Sequence, residues 1–456
     1  MNYNEIRYFP DRFYAGLDGV KTKDIRSLNR DIGFKKKHAP IFHEYYHYLI
    51  NLSTCAGVRQ FSINFFDRFR IITRMASVLG INAFPINSNK HKLTYDDVRY
   101  WKDVCKFLKE DDIDRDLAKR FGKNFPSFKI TKIERIRKDN KFKINGIKRI
   151  GTTTRIKVHI SDCYERDSFY LTFGALDEFF CTAIDEYFFS QDLSTLTSEF
   201  LLNRPYYPYR CLEAFLNYYL EFRPTIIEKI LITYTALNSK NPADSFISIL
   251  EGIKTVGENV FRKDPEIFLR KDASLKLVSI EIVNYIKRFK NEAKSQGRSK
   301  IVEATGYFCD IFEKALLLRQ TDPFYFIRPF LETNSQNHID IDNFNKSFFD
   351  ILEKFPLPII LMNKSLSDFN RKSNSLEFTC LLLATYEILE SLDVERIAKR
   401  DKNFLDIYTY PDCNSDCDDY NSISFPPKNI FHSALNELGL LKLYDNMPKQ
   451  QNLEGT

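Results

Sequence analysis

The chain has 456 residues, of which 43% are hydrophobic and 28% charged, with 41 Phe and 25 Tyr. That length allows two or three domains at ~150 residues each and excludes a minimal module. The composition supplies apolar surface for a large core and excludes a disordered polymer, while a net charge of +6 is too mild by itself to indicate nucleic-acid binding.

No apolar run approaches the ~18 residues needed to cross a bilayer, and Met1 to Arg7 lack the basic cap and apolar stretch of a secretory signal. The nine cysteines are an odd number and scattered, as in a reducing compartment. The expectation is a soluble cytoplasmic protein with no membrane partner.

Along the chain, the first 35 residues are irregular, with room for one short strand. Pro40 then opens a nearly uncharged stretch ending at Gly57, which predicts a buried helix over 40–56. Helical patterns follow from Asn64 to Ser77, closed by Gly80, and again from Thr94, where Thr94 and Asp97 resemble a capping pair. Together they predict a helical insertion over 64–125. The period changes to alternation over 128–160, in Ile130, Ile133, Ile136, Phe142, Ile144 and Ile147, with the hairpin signal Asn145-Gly146. Three or four antiparallel strands are expected there. Gly174 precedes a further predicted helix over 175–190. From 223 onward the pattern is almost wholly helical, as in Leu275, Val278, Ile282, Ile286 and Phe289 before Gly297, and over 375–392 and 432–441. The expected fold is α+β and predominantly α-helical, with a catalytic-type part over 1–222 and a tightly packed helical domain over 223–456.

His43-Glu44-Tyr45-Tyr46-His47 carries the chemistry. On a helix, residues four apart share a face, so both imidazoles can reach one Zn²⁺ at ~2.0–2.1 Å. Glu44 can be aimed at a water whose pKa the metal lowers toward ~7, take its proton and hand it to a leaving amine. The chain has seven His, so a chance match is on the order of one in a hundred. The plainer reading, two surface or satisfied core histidines, is weakened by the uncharged surroundings, which suit a buried metal helix.

A third ligand must leave one coordination position open. The segment Gly174 to Glu186 is the best source, because acids in an apolar helix are costly unless paired or liganding. Glu178, Cys181, Thr182 and Asp185 share one helical face. Glu178 is the preferred ligand, small Cys181 and Thr182 permit close helix approach, and Asp185 can orient a ligand histidine. Glu186 is the rival ligand, and His159 the spare candidate if the ligand is a nitrogen.

These residues resemble the zincin metallopeptidases of bacterial type, and within them the gluzincin-like group. The resemblance rests on His43 to Leu49, Gly174-Ala175, and Glu178 with Cys181. It implies a zincin-like catalytic part in which His43, His47 and Glu178 hold zinc and Glu44 is the general base, hydrolysing a peptide or protein. It covers roughly 40 residues, and the sequence departs from it in having only about 39 residues before the metal helix and a long gap between His47 and Glu178.

Three other features stand out. In Arg204 to Arg210, one of Tyr206, Tyr207, Tyr209 or Arg210 could stabilise an oxyanion, against a reading as Pro-bounded aromatic packing. Between Lys129 and Lys157 there are 11 basic and 2 acidic residues, a local +9 that leaves −3 for the rest of the chain. A solvated, Lys-protected strand face explains it most simply; nucleic acid or an acidic partner is the alternative. Asp412 to Asp418 starts like a calcium loop but lacks its Gly and Glu, and reads as an acidic surface loop. No nucleotide-binding motif is present. A zinc metallopeptidase restrained by narrow specificity or a regulatory protein partner is therefore expected, and the alternative is a non-enzymatic helical interaction protein using the basic hairpin.

Overall fold

A computed structural model describes residues 6–9, 14–17, 39–62, 113–121, 128–144, 147–161, 166–189, 205–270, 287, 291, 299–331, 341–355, 359–362, 365–366 and 433–436. The expected helices at 64–77, near 94, and at 375–392, and the loop at 412–418, lie outside these residues, as does nearly all of that at 275–289. Of the expected insertion, one described helix remains, α3 (Arg115–Arg120), capped by the Asp114 carboxylate on the N–H groups of Asp116 and Leu117.

Helix α1 (Ala39–Ser53) is the predicted motif helix, and its side chains from Ile41 to Ser53 are all buried. It ends earlier than expected. Thr54 separates α1 from the next helix, its hydroxyl donating to Ile50 O at 2.8 Å and accepting from Gly57 N at 3.0 Å. Gly57 is thus not a stop but part of α2 (Cys55–Ser62), where its missing side chain lets α2 fold back onto α1. A Cβ there would sit 2.3 Å from Ile50 O.

Two sheets flank the helices. In the first, β1 (Ile6–Phe9) and β2 (Tyr14–Leu17) form a hairpin, and β2 pairs in parallel with β6 (Ile359–Met362), itself antiparallel to β7 (Ser365–Leu366). These two short strands are exceptions to the almost wholly helical pattern expected beyond 223. The second sheet is antiparallel, in the order β3 (Lys129–Ile144), β4 (Ile147–Ser161), β5 (Arg166–Leu171). The segment 128–160 therefore holds two long strands rather than three or four, with Ile144 pairing Ile147, and the third strand lies beyond it. Ile156, Val158 and Ile160 alternate inward on β4, as a half-buried strand requires.

The remaining described elements are helical: α4 (Phe173–Phe189), a π turn at Tyr206–Arg210, α5 (Leu212–Tyr219), α6 (Ile226–Leu237), α7 (Pro242–Val256), α8 (Glu258–Lys263), α9 (Pro265–Arg270), α10 (Ser299–Thr321), a 3-10 turn at Tyr325–Ile327, α11 (Arg328–Leu331) and α12 (Ile341–Lys354). Residues 433–436, within the expected helix at 432–441, are also helical. No helix among the described residues is long and apolar enough to cross a membrane. Cys55, Cys181 and Cys211 are buried free thiols.

One hydrophobic core runs through both halves of the chain and includes α1. Helices α4 and α10 and the first sheet pack around it. The Phe42 ring lies 4.3 Å from Phe188 and 4.7 Å from Phe348. Such aromatic pairs add ~0.5–1.5 kcal/mol beyond burial. Polar tethers fix the same helix. Tyr45 OH donates to Phe355 O at 2.6 Å and Tyr46 OH to Phe326 O at 3.2 Å. Arg319, 1% exposed, donates to Ser53 O, placing a cation at the negative end of α1.

Two glycines give opposite expectations. Gly57→Ala should cost about 1–3 kcal/mol in denaturant unfolding, because backbone rather than a flexible side chain blocks its Cβ. Gly252→Ala, inside α7 with only a Phe268 ring atom at 3.7 Å, should stabilise by about 0.4–1 kcal/mol. A neutral Gly57→Ala would contradict the close α1–α2 approach.

Candidate metal centre

Helix α4 begins where Thr172 accepts the N–H of Ala175 with its hydroxyl, at 3.2 Å, immediately after β5 ends. From there the helix runs through the core against α1, its side chains from Phe179 to Phe188 all buried. The contacts pair His43 with Asp185 and His47 with Asp177, so the two helices cross with opposite chain directions at the site.

The geometry of the two histidines is set by these carboxylates. His43 Nδ1 lies 2.8 Å from Asp185 Oδ2, and His47 Nδ1 lies 2.9 Å from Asp177 Oδ2. An ionised carboxylate only accepts, so each Nδ1 carries a proton and donates it. In neutral imidazoles so oriented, Nε2 would be the ring atom left to bind a metal, and the two Nε2 atoms are 3.1 Å apart. Glu178 Oε2 completes the triangle at 3.4 Å from His43 Nε2 and 3.7 Å from His47 Nε2. That oxygen is inaccessible to water and has no hydrogen-bond partner, although the Glu178 side chain is 16% exposed. Three lone pairs facing one another repel unless a positive charge sits among them. Ligand atoms ~2.0–2.1 Å from a tetrahedral zinc are themselves ~3.3–3.4 Å apart. The donor set and its spacing therefore fit a zinc ion, with the Glu178 side as the approach.

The electrostatics agree with a site built for a cation. Burial pulls the His47 pKa down, but Asp177, Cys181 and Glu178 outweigh it and hold the imidazole well above its ordinary value. Burial pushes Glu178 up, yet His47 and His43 prevail and hold it below the usual carboxylate range. Asp177 is raised by burial, partly offset by His47. Glu44, the neighbour of His43 in sequence, is 5% exposed.

Of the sequence-predicted residues, the structure brings His43, His47 and Glu178 together, with Asp185 behind His43. The rival Glu186 is elsewhere. It pairs with buried Lys229 at 3.0 Å, and Lys229 also meets Glu213. The spare candidate His159 is on β4, 2.8 Å from Glu134. Cys181 lies close enough to His47 and Asp177 to form a second potential donor group, but burial pushes its thiol well up, and a metal binds the thiolate. Among the oxyanion candidates, Tyr206 OH donates to Phe128 O at 3.4 Å and Tyr207 OH accepts from Asp114 N at 3.4 Å, which are structural contacts to α3 and the sheet.

Asp177 was missed by sequence reasoning. It immediately precedes Glu178, so on a helix it points about 100° away from the ligand face. The available signal was that two ligand histidines need two orienting groups. No known family, curated protein or solved structure matches the chain.

Asp177→Asn and Asp185→Asn should each weaken zinc binding about 10–100-fold in chelator competition. Glu186→Gln, acting on the Lys229 pair, should leave zinc affinity at the wild-type level. Equal losses in all three variants would sink the assignment of Asp177 and Asp185 as orienting groups.

Proposed function

We propose that this chain is a zinc-dependent metallopeptidase of gluzincin-like character, acting in the cytoplasm on a peptide or protein substrate. The observation that carries the reading is the convergence of His43 Nε2, His47 Nε2 and Glu178 Oε2 within 3.1–3.7 Å, with both Nδ1 atoms committed to carboxylates. Zinc bound there supplies a Lewis acid that acidifies water and polarises a substrate carbonyl.

The chain's own residues do the rest. Asp185 and Asp177 hold the imidazoles in one tautomer and one orientation, so no reorganisation is needed during turnover. Glu44 is the general base, accepting the proton of the attacking water and returning it to the leaving amine. Its side chain is buried next in sequence to His43, on the helix that carries both histidines. No side chain forms a covalent bond to the substrate. The exposed part of Glu178, beside imidazoles whose side chains are only 6% and 9% exposed, marks the side from which substrate approaches.

Purified wild-type chain should contain one zinc per molecule. His47→Ala should lose it, and Glu44→Gln should keep it while abolishing hydrolysis. A comparison of protein termini in cells producing wild type or Glu44→Gln should reveal cleavages present only with wild type. Zinc-free wild type, or identical termini in the two cells, would overturn the proposal.

A further inference from the structure

The β3–β4 hairpin outruns its sheet. Strand β5 pairs with β4 only over Ile156–Ser161. From Arg137 opposite Thr154 to Ile144 opposite Ile147, the sheet is two strands wide among the described residues.

The basic residues of the hairpin fall into two groups along its length. Near the sheet, three of them meet partners within the protein. Lys132 pairs with Glu134, Arg135 meets Asp244 at 2.8 Å and Glu251 at 2.8 Å, and the Arg155 guanidinium lies 4.1 Å from the centre of the Tyr170 ring. Beyond it the sequence places Arg137, Lys138, Lys141, Lys143, Lys148 and Arg149 against Asp139 alone. Arg137 is exposed. The register sets Lys143 opposite Lys148, with Arg149 at the next pair and Lys141 at the one after. Like charges directly across a ladder are destabilising, so a hairpin that keeps them gains when an anion neutralises them.

We propose that this distal ribbon binds the phosphate backbone of double-stranded nucleic acid. Eight residue pairs at ~3.4 Å span about 27 Å, a length over which a duplex presents a phosphate charge every ~1.7 Å of axis. A two-stranded ribbon fits a major groove ~12 Å wide. Single strands are disfavoured because they need aromatic platforms, and Phe142 is the sole aromatic residue between Arg137 and Thr154. Contacts of Lys and Arg to phosphate position a protein without reading sequence, so binding is sequence-independent. The separation of +9 on the hairpin from −3 elsewhere orients the approach of a polyanion. The inference rests on the hairpin alone and stands apart from the metal centre. For the proposed hydrolase it would select substrates already gathered on nucleic acid.

The test uses the full chain and a fluorescent 25-base-pair duplex DNA, with anisotropy read between 50 and 300 mM NaCl. Six phosphate contacts give an expected log–log salt slope near about −5. Replacing Lys138, Lys141, Lys143, Lys148 and Arg149 together by Ser should flatten the slope to about −1 and weaken binding at 50 mM salt on the order of 100-fold. The variant should keep the wild-type circular dichroism and melting temperature, since the change relieves repulsion. Glu44→Gln should bind DNA as wild type does. A wild-type slope shallower than about −2, or a five-Ser variant that binds equally well, overturns the proposal. So does tighter binding of a single strand, which would assign the ribbon to unpaired nucleic acid, or of polyglutamate, which would assign it to an acidic protein.

Discussion

Three lone pairs meet in a space largely closed to water: Nε2 of His43, Nε2 of His47 and Oε2 of Glu178, at separations of 3.1–3.7 Å. Left to itself this arrangement is repulsive, and the carboxylates of Asp185 and Asp177 deepen it by fixing both protons on the far side of the rings. The cluster becomes favourable when a cation occupies its centre. A proton can do so, which is why the surrounding acids lift His47 well above its ordinary pKa even against burial. A divalent metal does so with better balance, because Asp177, Glu178 and Asp185 bring three acidic side chains to two imidazoles.

The chain beyond 223 takes its meaning from this constraint. A cluster proposed to hold a metal would have to be held rigidly, and α1 is held from sides other than that of α4. The two unspecified positions of the His-Glu-x-x-His motif are tyrosines whose hydroxyls reach Phe355 O and Phe326 O, more than 280 residues away for the first and 280 for the second. Arg319 closes the carbonyl end of the same helix while its guanidinium lies 5.5 Å from the Tyr234 ring centre. On the other side, buried Lys229 ties α6 to Glu186 of α4. The later helices thus clamp both halves of the site, and the first sheet adds a strand from beyond residue 350 to two from the first 17 residues.

What could be read in the sequence was local and periodic. The motif helix was legible because four-residue spacing and an uncharged context follow from helix geometry and desolvation. Glu178 was legible because an acid inside an apolar helix needs a purpose. The choice between Glu178 and Glu186 was not settled by spacing, since it depends on Lys229, 43 residues beyond Glu186. Asp177 was hidden because it stands one residue from Glu178, where helical phase suggests a different face. Gly57 looked like a helix stop, and only the fold-back of α2 shows that it is a contact point. The parallel pairing of Tyr14 with Ile359 had no local signature at all, because its partners are separated by about three-quarters of the chain. The hairpin is the reverse case: Asn145-Gly146 signals where the two strands part in the sequence, but alternation alone does not tell one long ladder from several short strands.

Zinc K-edge absorption fine structure on the purified full-length chain tests the central claim most directly. The expected spectrum contains two imidazole nitrogens and carboxylate and water oxygens at ~2.0–2.2 Å, with no sulfur. A sulfur scatterer at ~2.3 Å would bring Cys181 into the coordination sphere and close the position that hydrolysis requires, contradicting the account of the site.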